Sequence, residues 1–175
     1  MRSARLLLAL TAATPLVLSG LAAQKPVQLA LFTPVQIVPE TQSVTAFRLN
    51  IIYSKNTAVS YVDLGLLVNW TTTGPSKGIQ WAAVSVSEGA FTGWQSGLVA
   101  MTNGTFEGLQ TGGFDKAATG KGVQWGVFNM ADNWNGLQLG LVNYTKQMEG
   151  VQIGLLNFIK TGGVLPVLPI VNWSF

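Results

Sequence analysis

The sequence predicts an all-β protein: an up-and-down antiparallel meander closed as a small barrel of about ten strands, with a β-solenoid of about ten coils of 14–15 residues as the alternative. Three observations predict it. A seven-residue pattern recurs along almost the whole chain at nearly constant spacing, apolar residues alternate with Gln or Gly inside it, and short polar turn-forming segments separate the copies.

Residues 1–23 are set apart from this pattern. They begin with Arg2 and Arg5, continue through the apolar run from Leu6 to Leu18, and end in small residues around Gly20, Ala22 and Ala23. This charged, apolar, small order is that of a secretory signal peptide, and Pro15 and the shortness of the run argue against a retained membrane helix. The chain is thus expected to divide into a signal peptide at 1–23 and one repeat-built β domain at 24–175. Without Arg2 and Arg5 the balance is eight bases to seven acids, which gives nucleic-acid binding no electrostatic support.

The repeat is clearest in Leu137-Gln138-Leu139-Gly140-Leu141-Val142-Asn143, with Gly136 before it. Taking Leu137 as position 1, units start at Val27, Phe47, Val62, Ile79, Trp94, Leu109, Val123, Leu137, Val151 and, in degenerate form, Pro166. From Ile79 onward the steps are 15, 15, 14, 14, 14 and 15 residues. Position 2 is Gln28, Gln80, Gln95, Gln110, Gln124, Gln138 and Gln152, but Arg48 and Asp63 in two neighbouring units. Position 4 is Gly in six units, from Gly65 to Gly154, so a small side chain is required there.

Alternation with period two makes each unit a strand with two unlike faces, one aliphatic and one of Gln and Gly. The intervening segments, such as Ser87-Glu88-Gly89 and Thr145-Lys146-Gln147, suit tight connections. Large residues flank them, Val86 with Phe91, Met101 with Phe106, Met130 with Trp134 and Tyr144 with Met148, and could meet across hairpin arms. That pairing favours the meander. A coil would need its returning half to supply inward apolar residues, and that half reads as polar and turn-like.

Strands of about 11 residues tilted by ~40° would span ~28 Å, enough for an outer membrane's apolar band of ~25 Å. The charges Arg48 and Asp63 sit mid-strand on the Gln face, so in a barrel that face must be the lumen, with Leu137, Leu139 and Leu141 and their counterparts toward lipid. Arg48 and Asp63 are expected to form a structural ion pair. Gln80, Gln95, Gln110, Gln124, Gln138 and Gln152 would hydrogen-bond one another across strands. In the alternative solenoid or sheet, the aliphatic face is the core and the Gln face meets solvent or a partner.

The last residues place Val167, Val171, Trp173 and Phe175 at alternate positions and end the chain in an aromatic. This resembles the assembly signal of bacterial outer-membrane barrels, which assigns Trp173 and Phe175 to recognition by the barrel-assembly machinery. Pro169 interrupts the alternation, and a bulge near Pro166 or Pro169 would reset it. The tandem G-[LV]-Q-x-G-[LV]-x-N units and the Asn172-Trp173-Ser174-Phe175 ending also resemble a family of bacterial surface-repeat proteins across residues 27–175. The resemblance implies secretion and a place in the envelope, and it carries over no activity.

No reaction centre is legible. The chain has neither Cys nor His, which removes disulfides, thiolate metal sites and the commonest general base. Its acids are scattered, and Gly120-Lys121-Gly122 lacks the rest of a phosphate-binding loop. The expectation is a non-enzyme without cofactor or metal: a small protein of the outer membrane or surface of a Gram-negative-type bacterium. Its role would be structural or interactive, with at most a narrow polar lumen. The alternative is a secreted soluble repeat protein binding a partner through its Gln and aromatic rows.

Overall fold

The structure, a computed structural model, describes residues 25–175; the expected signal peptide at 1–23 lies outside the described residues. It is all-β. In chain order the strands are β1 (Lys25–Phe32), β2 (Val35–Gln36), β3 (Val44–Asn56), β4 (Ser60–Gly65), β5 (Val68–Thr71), β6 (Ser76–Trp81), β7 (Val84–Ser87), β8 (Phe91–Leu139), β9 (Val142–Thr161) and β10 (Val167–Ser174). The long run β8 is extended backbone that winds through several coils.

Pairing along the stack is parallel. Phe47 lies beside Val62, Val62 beside Ile79, Ile79 beside Trp94, and Leu137 beside Val151, so equal positions of the repeat form ladders. The chain is a β-solenoid of about nine turns, and the expected barrel is corrected to the alternative architecture. The hairpin contacts expected at the turns are absent for the same reason: Tyr144 sits beside Met130, and Met148 beside Trp134, each one coil away.

Each coil crosses two facing sheets. In the coil that starts at Leu137, Val142 to Thr145 runs in one sheet beside Phe128 to Ala131, and Gln147 to Ile153 then runs in the other beside Asn133 to Leu139. The returning half does supply inward apolar side chains. Phe91, Phe106, Trp134 and Met148, each three residues before a unit start, form a buried cluster with Ala117, Ala131 and Ile159, and Gly120 holds the same place before Val123. Phe91 stacks on Phe106 with ring centroids 6.0 Å apart. Opposite them lie the amides, so more polar than apolar side chains are buried.

Glycine before the starts from Trp94 to Val151 is a steric requirement. Gly93, Gly108, Gly122, Gly136 and Gly150 have φ between 127° and 145°, and a Cβ on any of them would strike the carbonyl oxygen of the same glycine one coil earlier. Antiparallel strands close both ends of the parallel stack, β2 on β1 and β10 on β9. Such end strands cover ladder groups that would otherwise recruit other chains. Along β10 the register shifts between Leu168 and Ile170, a bulge at Pro169 as expected, and thereafter Asn172 points in while Trp173 and Phe175 point out.

Candidate functional site

Position 2 builds a spine through the solenoid. Gln80, Gln95, Gln110, Gln124, Gln138 and Gln152 are all fully buried. Each of the last five donates Nε2 to the Oε1 of the preceding one at 2.5 to 2.8 Å. Every amide therefore points the same way, because each N–H must meet the oxygen one coil back. Gln80 passes this polarity to Asp63, donating to Oδ2 at 2.9 Å. The positive ends of the aligned dipoles thus converge on a carboxylate.

Asp63 is in turn gripped by Arg48, with Nε on Oδ1 at 2.6 Å and Nη2 on Oδ2 at 2.7 Å. Both residues are buried, and Arg48 spends a further N–H on the Trp70 carbonyl at 3.0 Å. The expected ion pair is present. A bidentate pair with its remaining groups bonded is the arrangement that offsets the desolvation of two buried charges. The Gln row and the pair face no solvent, so neither offers a partner a surface.

A second amide row was hidden in the repeat. Asn129 donates Nδ2 to Asn143 Oδ1, and Asn143 to Asn157 Oδ1, both at 2.7 Å, in the sense opposite to the Gln row. These are position 7. On a straight strand that position shares the aliphatic face, but the bend at positions 4 and 5 swaps its side inward. The amides tuck beneath the position-4 glycines: a Cβ on Gly140 would stand 2.6 Å from Asn129 Nδ2 and 3.0 Å from Asn143 Oδ1.

Asp115 occupies position 7 in the coil before Asn129. It is fully buried, and neither carboxylate oxygen has a hydrogen-bond partner. Desolvation pushes its carboxyl from 3.8 up to about 7, with only the nearby Gly112 backbone amide acting the other way.

The outer wall is graded. At the edge formed by positions 4 to 6, Leu66, Leu98, Val127, Phe128, Leu141, Leu155 and Leu156 are exposed, Leu98 by 73% and Leu155 by 66%. The adjoining outer strand carries Ile79, Trp81, Trp94, Trp125 and Ile153, again exposed. The opposite edge holds the charges Glu88, Glu107, Lys121, Asp132, Lys146 and Glu149, among them the pair Lys146–Asp132 at 2.8 Å. Near the N-terminal cap, Leu29, Leu31, Val35, Ile37, Leu49 and Ile51 line an open apolar groove of about 550 Å³. Among the described residues no three acidic side chains gather around a common point. Trp173 and Phe175 are exposed, Phe175 by 91%.

No protein-family model, curated protein or solved structure matches the chain.

Proposed function

We propose that this protein is a non-enzymatic structural and interaction element of a bacterial envelope, lying on a lipid bilayer with its apolar edge among the acyl chains. One observation carries the reading. Across the width of every sheet the outer side chains change from charged at one edge to aliphatic and aromatic at the other, while the polar amides are turned inward. A soluble solenoid gains nothing from this inversion, because exposed Leu and Trp lose the water-driven burial that ordinarily builds a core.

Dimensions fit a surface-lying mode. From position 1 to the corner is about three residues, or ~10 Å, which matches the ~5–10 Å to which interfacial elements sink. The exposed Trp81, Trp94 and Trp125 stand on the flank between the edge and the charges, where indoles favour the headgroup boundary. The charged edge mixes acids and bases, with Glu88, Glu107, Asp132 and Glu149 outnumbering Lys121 and Lys146, so attraction to anionic headgroups is secondary to apolar burial. The signal-peptide pattern at 1–23 supports an envelope location, whereas the barrel-assembly reading of Trp173 and Phe175 goes with the barrel that the solenoid replaces.

Flotation of the purified chain with neutral phosphatidylcholine vesicles tests this. Binding is expected to persist in high salt, with indole fluorescence quenched by lipids carrying a quencher on the upper acyl chain. A discrete oligomer that ignores vesicles would overturn it, since the edge would then be covered by a second copy.

A further inference from the structure

The Asn row has one joint that does not close. Asn129 Nδ2 is committed to the Leu139 carbonyl at 2.8 Å and to Asn143 Oδ1 at 2.7 Å. Asn143 Nδ2 is committed likewise, to the Ile153 carbonyl at 2.9 Å and to Asn157 Oδ1 at 2.7 Å. Rotating either amide by half a turn would set oxygen against a backbone oxygen, so the main chain of two successive coils dictates the row's polarity. Asn129 Oδ1 is therefore left facing the preceding coil, and it has no partner.

What it faces is Asp115. A Cβ built on Gly126 would stand 2.6 Å from Asp115 Oδ2 and 2.9 Å from Asn129 Oδ1, so both oxygens converge on one small space. An ionised carboxylate is an acceptor only, and two buried acceptors cannot satisfy each other. We propose that Asp115 is held as a neutral carboxylic acid whose proton makes the missing hydrogen bond to Asn129 Oδ1, so that this joint of the solenoid binds and senses protons.

The other joints decide between a proton and a metal ion. Each is one hydrogen bond wide, 2.5 to 2.8 Å in the Gln row and 2.7 Å in the Asn row. A cation at ~2.3–2.6 Å from both oxygens would hold them at least ~3 Å apart even as adjacent ligands in its shell, wider than any of these joints. No charged side chain opposes ionisation or favours it from inside. By the repeat's register, the rungs before and after carry Ala100 and Asn129, and Gln95, Gln110 and Gln124 occupy the parallel row. Lys116, next in sequence, alternates to the outer face, as do Glu107 and Lys121 on the same coil.

The sign follows from linkage. Below 3.8 the acid is neutral in both folded and unfolded chains; between 3.8 and about 7 only the folded chain keeps the proton, so stability falls as pH rises through that window and levels off above it. Three pH units correspond to about a thousandfold change in the unfolding equilibrium constant.

The experiment is denaturant unfolding of the full chain and its Asp115→Asn variant from about pH 4 to 8, with a carbon-13 carboxyl titration of the aspartates in the folded wild type. The asparagine donates to Asn129 Oδ1 at every pH, so the variant should lack the loss and be the more stable chain at pH 8. If the variant fails to fold, the wild-type carboxyl titration decides alone. A folded-state Asp115 titrating in the ordinary carboxylate range overturns the proposal. So does stability at pH 8 that returns with added sodium, potassium or calcium, because a cation would then close the joint.

Discussion

The indole of Trp134 occupies the space above Gly120, where the preceding coil supplies no side chain, and reaches past it to lie 6.0 Å from Phe106, ring to ring. One glycine and one oversized aromatic thus complement each other in a row otherwise filled by Phe91, Phe106 and Met148. The fit is closed, since a Cβ on Gly120 would collide with the ring.

Gly120→Ala should therefore destabilise the solenoid by ~1–3 kcal/mol through overpacking. In a Trp134→Leu background the same substitution should cost far less. A double-mutant cycle by denaturant unfolding measures the coupling, and additive effects would refute the shared space.

Breaking the buried pair is expected to be severe. Arg48→Met leaves Asp63 with the Gln80 amide as its remaining side-chain donor, and Asp63→Asn leaves the guanidinium uncompensated. Each should cost ~3–5 kcal/mol. Replacing both by Gln extends the Gln row by two rungs and should recover most of the loss. Urea midpoints of the three variants check this.

Gly136→Ala tests the glycine ladder. Its φ of 131° is closed to a side chain, and the Cβ would meet the Gly122 carbonyl. The expected cost is ~1–3 kcal/mol or failure of the coil to stack. Circular dichroism against temperature reads the difference.

On the outer edge the prediction reverses. Leu98→Glu and Leu155→Glu touch no interior group and should change stability by less than ~0.5 kcal/mol. Each removes ~1.5–3 kcal/mol of apolar burial against lipid, so vesicle affinity should drop by ~10- to 100-fold. Lys121→Gln, on the charged edge, should leave affinity unchanged. Vesicle sedimentation separates the three.

Part of the interior was legible. The Gln ladder and its ion pair follow from period-two alternation and from the cost of a mid-strand charge on an outer face. The inward sense follows only for a barrel lumen; for a solenoid the aliphatic face is expected to be the core, and the structure reverses this, burying Gln138 and leaving Leu141 exposed. A bulge near Pro166 or Pro169 was open from residues that cannot donate to a ladder, and the register shift between Leu168 and Ile170 selects Pro169. Pairing did not follow. Phe91, Phe106, Trp134 and Met148 beside short polar segments suit a hairpin and a stacked row equally, because sequence distance does not say whether the neighbour lies across a turn or one coil away. The inward turn of Asn129 and Asn143 was not legible, because position 7 shares the aliphatic face on a straight strand and the flip of sides at the glycine corner is a property of the bend.

By itself, the sequence determined the repeat of 14–15 residues, the strand character of each unit, the row of Gln on one face and the glycines where only a small residue fits, but not that in a solenoid the Gln face is the buried one. These rest on local alternation and sterics, which a single unit already contains. Only the tertiary structure decided that units stack in parallel, that Asn joins Gln inside, and that Asp115 confronts Asn129 Oδ1. Those outcomes depend on which residues become neighbours about 14 positions apart, a relation that exists only once coils are laid on one another.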